Sequence, residues 1–146
     1  MAVTIEDMQG IVGHAFPGGT FTIEPWENVL LSDVMGIEPL PDGLAHPSYL
    51  FHAPLAGVGV RISDIFELCR AESEEAVRAG EYHWMIERPL RVGATYRMSG
   101  GFIGVERKEG RRGGLMDMVR FQIDVREEDG ELAASTVSTW IFLRSS

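Results

Sequence analysis

Between residues 46 and 57 the chain reads HPSYLFHAPLAG, which gathers two imidazoles, a serine hydroxyl and a phenol into one short stretch. If residues 47 to 53 wind as a helical turn, Ser48 and His52 stand four apart and face the same way, close enough for an imidazole to draw a proton from a hydroxyl. The sequence places no aspartate to orient that imidazole, and the same pattern suits a histidine hydrogen-bonded at the edge of a core. His14 and His83 are isolated, so no metal-ligand spacing is present and no metal is expected. Arg107, Lys108, Arg111 and Arg112 form a second cluster. Charge-assisted hydrogen bonds would fit it to phosphate groups or to a partner's acidic side chains, and it would serve equally as a solvated hairpin tip.

The whole chain limits what these groups can do. Its 146 residues, 45% hydrophobic and 24% charged, suit one domain over 1–146 with residues 1–19 as an N-terminal extension. A formal net charge of -9 opposes nucleic-acid binding and gives no attraction to anionic lipid. No apolar run is long enough to span a bilayer and the first residues carry no leader pattern, so a cytoplasmic location without membrane contact is expected. Cys69 is the only cysteine, which excludes an intrachain disulfide and points to a buried thiol.

The elements that must position the clusters follow from periodicity. TIEDMQGIVGHAF reads as a short helix ended by Pro17, Gly18 and Gly19, TFTI (20–23) as a strand start, and WENVLLSDVM (26–35) as a second helix. Apolar residues at 55, 58, 62, 65, 66 and 69 predict one helix over about 54–70, with Pro54 in its first turn and Arg61, Asp64 and Glu67 on its polar face. Gly57 and Gly59 weaken that helix and imply close approach of a packing neighbour or a ligand. Beyond the acidic connector ESEEAVRAGE come four segments of period two: EYHWMIERPL, ATYRMSGGFIGVER, GLMDMVRFQIDVRE and ELAASTVSTWIFLR. The glycine-rich KEGRRGG and the Asp-Gly hairpin signal EEDGE supply turns between them. A helix followed by antiparallel strands is an α+β arrangement.

Element order and several phrases resemble the MaoC-like hotdog proteins: LAHPSYLF at a helix entrance, RPLRVGATY at a strand-to-turn segment, and DGELAASTVSTWIFL as a closing strand. The resemblance covers roughly residues 44 to 143 and implies a single hotdog domain, an antiparallel sheet wrapped around a central helix. It further implies an acyl-thioester ligand, carried by coenzyme A or an acyl carrier, with no resident cofactor. The implied assembly is a homo-oligomer or a heterodimer with a motif-bearing hotdog chain. The family's hydratases carry G-D-x-N-P-x-H before the central helix, and here that segment is missing. Its nearest counterpart is SDVMGIE, with Asp33 at the aspartate and Glu38 at the histidine.

His46 begins the segment similar to the family's Ala-His-Gly entrance, where backbone N–H groups polarise a thioester carbonyl. Pro47 replaces the glycine and removes one donor, while Ser48 and Tyr49 keep theirs. The candidates implied for catalysis are therefore Asp33, Glu38, His46 and His52. Those for substrate binding are Ser48, Tyr49, Gly57, Arg107, Lys108, Arg111 and Arg112. The leading expectation is a subunit of a dehydratase or enoyl hydratase acting on acyl thioesters, including the case of a non-catalytic partner. A thioesterase using Asp33, Glu38, Asp64 or Glu67 to activate water, and a non-catalytic acyl-binding scaffold, are the alternatives.

Overall fold

The computed structural model describes residues 2–112 and 114–145, so Gly113 of the glycine-rich connection lies outside the described residues. Alternation decides where the sheet lies. In β4 (Leu115–Arg126) Asp117, Val119, Phe121, Ile123 and Val125 are buried while the residues between them are half-buried or exposed. With β1 (Gly19–Thr22), β2 (Val77–Ile86), β3 (Thr95–Glu109) and β5 (Leu132–Arg144) it forms one antiparallel sheet of order β1-β3-β4-β5-β2. The four period-two segments and TFTI supply all five strands, although β2 already begins at Val77, inside the stretch that reads as a connector.

The two rims of the sheet differ. Beyond β1, residues 13–16 lie along β3: Gly13 N–H donates to Phe102 O at 2.9 Å and Phe16 N–H to Gly100 O at 2.8 Å. Strand β2 pairs only with β5, so its outer edge is open among the described residues. Edge-to-face rings tie the layers together, with Phe16–Phe102 at 5.1 Å, Phe121–Trp140 at 5.0 Å and Phe66–Trp140 at 5.9 Å between centroids.

Helix α1 (Ile5–Gln9) is shorter than its sequence pattern and starts at a capping box, Thr4 and Asp7 exchanging two hydrogen bonds of 3.0 Å. Helix α2 (Pro25–Val34) has proline in its first turn. The single helix expected over 54–70 is instead two, α3 (Tyr49–Gly57) and α4 (Ile62–Leu68). Gly59 breaks it with φ +84, and Val58 O accepts from Gly18 N–H at 2.8 Å. A Cβ on Gly59 would lie 2.6 Å from Gly18 O. The turn before β1 and the break between the helices thus interlock as bare backbone.

Pro54 also departs from expectation, lying inside α3 rather than in its first turn. The helix starts earlier, through i to i−3 turns in which Tyr49, Leu50 and Phe51 N–H donate to His46, Pro47 and Ser48 O. Its buried face is Tyr49, Leu50, Ala53, Pro54 and Gly57, which leaves Leu55 half-buried beside a cleft.

Candidate functional site

Helices α3 and α4 stand off from β2 and β5 and leave a cleft of about 750 Å³. Phe51, Leu55, Val60, Ile62, Tyr82 and Trp140 make its walls apolar, while His52 and Arg61 supply polar groups. Phe51 and Tyr82 close one side, their rings edge-to-face at 5.2 Å. Phe51, Ile62 and Tyr82 remain exposed, so the cleft opens on the side of the free β2 edge. Such a volume with few polar groups suits an alkyl chain better than a charged metabolite.

His52 is the sequence candidate that reaches this cleft. Its ring lies against Tyr49 at 5.2 Å and Phe21 at 6.0 Å. Partial burial pulls its pKa below the usual imidazole value, with Glu27 opposing, so the ring is mostly neutral at pH 7. The expected Ser48–His52 contact is replaced by another. Ser48 Oγ lies 2.9 Å from His46 Nδ1, and Ser48 N–H donates to the same nitrogen at 3.1 Å. Because Ser48 precedes the first helical residue, its side chain turns back to His46 rather than along the helix.

That clamp also uses the entrance donors. Ser48 N–H serves His46 Nδ1, Tyr49 N–H serves His46 O at 3.1 Å, and position 47 has no N–H at all. The carbonyl cradle expected at Ser48 and Tyr49 is closed from within. At Gly57 a Cβ would lie 2.8 Å from Met98 Cγ and 3.0 Å from Phe21 Cβ, so its bareness lets the helix pack close to the sheet.

Asp33 sits in the last turn of α2 and Glu38 in the loop beyond, both exposed and with no hydrogen bond between them among the described residues. Asp64 is engaged by Arg61, accepting at 3.0 and 3.2 Å from the guanidinium and at 2.9 Å from the backbone N–H, and those bonds lower its pKa. Glu67 is exposed.

The basic cluster divides. Arg107 leaves the hairpin tip, because its guanidinium donates to both Asp117 oxygens at 2.7 and 2.9 Å and to Val3 O at 2.9 Å. Asp117 also accepts from Arg144 Nε at 2.8 Å, and Arg144 ties on to Cys69 O at 2.8 Å. Sequence held a signal for this: a carboxylate inside an apolar stripe needs a cation opposite it, and sheet register places Arg107 there. Lys108 is exposed, 3.9 Å from Glu106, and Arg111 and Arg112 are exposed in the turn. Cys69 is fully buried, and burial pushes its thiol up to about 12. Among the described residues no His, Cys, Asp and Glu group could hold a metal ion, and no helix is long and apolar enough to cross a membrane.

Phe51, Tyr82 and Trp140 escaped the sequence reading, since they come together only through α3, β2 and β5 and no local spacing links them. No protein-family model matches the chain, and no curated protein matches it significantly. Solved structures do match. The ChsH1-ChsH2 complex from Mycobacterium tuberculosis superimposes with TM-score 0.74 at 16% identity, over 98% of this chain and 95% of that one. The HadBC (3R-hydroxyacyl-ACP dehydratase) complex of the same organism gives TM-score 0.66 at 14% identity, over 90% and 96%. A MaoC-like dehydratase from Rhodospirillum rubrum gives 0.53 at 14%, covering 99% of each chain. This is the hotdog fold.

As a hotdog, the chain has α3 as the helix against its sheet, and the cleft lies between that helix, α4 and the open rim. The α+β class expected from the sequence holds, with the central helix shortened and started earlier.

Proposed function

We propose that this hotdog chain is the acyl-binding subunit of an acyl-thioester hydratase or dehydratase, joined through β2 to a second hotdog chain that supplies the acid/base pair. One observation carries the reading: an apolar cleft suited to an acyl chain adjoins a helix entrance whose Ser48 and Tyr49 N–H groups are already bonded internally. The chain can hold a tail, yet neither the Ser48 nor the Tyr49 N–H is left free at that entrance to stabilise a developing oxyanion. Asp33 and Glu38, exposed and apart, offer no imidazole where the hydratase signature has one.

Complexes of two hotdog subunits among the matching structures support the partnership. Lys108, Arg111 and Arg112 are the groups that would meet the phosphates of a coenzyme A carrier. A thioesterase built on Ser48 and His46 is disfavoured, because the Nδ1 lone pair that would take the hydroxyl proton is shared with the Ser48 N–H. The test is enoyl-CoA hydration by the purified chain alone and with a motif-bearing hotdog chain. Losing an oxyanion donor costs about 10²- to 10³-fold and losing a general acid/base about 10²- to 10⁴-fold, so the chain alone should be near background and the pair active. Robust hydration by the chain alone, unaffected by alanine at Asp33, Glu38, His46 and His52, would overturn the proposal.

A further inference from the structure

Beside the large cleft lies a smaller groove of about 270 Å³ between α2 and α3, walled by Trp26, Leu30 and Val34 and floored by Glu27, Tyr49 and His52. The walls are apolar yet exposed, recurring every fourth residue along α2, where an ordinary surface helix would be polar. The floor is polar and partly unsatisfied. Tyr49 is buried, and its hydroxyl is the one buried side-chain polar atom with no hydrogen-bond partner among the described residues. Such groups are rare because burial without a partner forfeits the hydrogen bonds water gave.

His52 lines this groove and the large cleft alike, so the two compartments share its ring, with Tyr49 packed against it on the groove side. A neutral imidazole there offers one donor and one acceptor. The Glu27 carboxylate, whose charge both rings feel, adds an acceptor on the groove side. An unsubstituted alkyl chain crossing this point would leave the phenol without a partner and dry the imidazole as well.

We propose that an apolar ligand threads both compartments and presents an oxygen function near the middle of its length, a hydroxyl or keto group, to Tyr49 and His52. The proposal rests on the reading of the large cleft as an acyl site, and adds that the bound chain is oxygenated away from its thioester end. Selection follows from the chemistry of the pair: a site that hydrogen-bonds an oxygen disfavours the analogue lacking it.

Calorimetric titration of the full chain with stearate, 12-hydroxystearate and 12-oxostearate tests this without a thioester. The oxygenated acids should bind roughly 5- to 10-fold more tightly than stearate, the scale of one hydrogen bond to a buried group. Tyr49→Phe should bring the three within about 2-fold of one another while melting no lower than the wild type, since the oxygen removed has no partner to lose. Leu30→Trp, at an exposed wall position that puts folding at no risk, should narrow the groove and abolish the preference too. Equal binding of all three acids by the wild type, or a preference that survives Tyr49→Phe, overturns the proposal and leaves the acyl reading standing. Failure of all three acids and of stearoyl-CoA to bind overturns both. Stearoyl-CoA binding that depends on Tyr49, with no discrimination among the free acids, would assign the oxygen to the thioester carbonyl and overturn the mid-chain site.

Discussion

Asp117 sits wholly buried between two guanidiniums, Arg107 and Arg144, and this arrangement sets what single residues can do to stability. Burial alone would raise its pKa, but the hydrogen bonds from both arginines outweigh it and hold the carboxyl below its ordinary 3.8. A depressed native value means the contribution is complete above the unfolded value and lost as pH falls through the lower, native one. Acid unfolding of the wild type should therefore steepen only below about pH 4. Asp117→Ala should cost about 3–5 kcal/mol in urea unfolding at neutral pH, because it leaves Arg144 buried without its counter-charge. Arg107 belongs to this ion cluster, which confines any phosphate contact to Lys108, Arg111 and Arg112. Reversing those three charges should weaken coenzyme A thioesters more than the matching pantetheine thioesters in a binding assay, and equal losses would remove phosphate from the role of the tip.

At the scale of elements, the break between α3 and α4 is the feature most open to test. Gly59→Ala would place a Cβ at positive φ and against the Gly18 carbonyl, a backbone atom with no room to yield, so about 2–4 kcal/mol should be lost in thermal or urea unfolding. Gly57→Ala should cost less, because Gly57 has no positive φ and its tightest neighbour, Met98 Cγ at 2.8 Å, is a side-chain rather than a backbone atom. The strands were legible in the sequence because alternation is local, and β4 states its own inner face residue by residue. The helix break was not, since the apolar spacing runs on across Gly57 and Gly59 as though nothing happened. Only the approach of residues 17–19, distant in the chain, turns those glycines from weak helix formers into a corner. The Ser48–His46 clamp was hidden for a related reason: the i, i+4 argument holds inside a helix, and Ser48 stands one residue before it.

For the molecule as a whole, the open β2 rim is where association is expected. Strand β2 carries exposed Met85 and Ile86 beside an unpaired edge, with Tyr82 and Phe51 exposed nearby. Long exposed edge strands with apolar side chains invite another strand. Sedimentation at micromolar concentration should show a dimer of this chain or, with its partner present, a mixed pair. Met85→Lys combined with Ile86→Lys should shift either to monomer, and a monomer in the wild type under both conditions would contradict the assembly. The site as a whole could not be read in advance, because its walls come from α3, α4, β2 and β5 and acquire a common address only on folding. At the other rim, residues 13–16 lie along Gly100–Phe102 of β3, and β1 beside them pairs only with β3 among the described residues. Backbone pairing could therefore extend from either rim, and it is the exposed Tyr82, Met85 and Ile86 side chains that give β2 an apolar seat for a second chain.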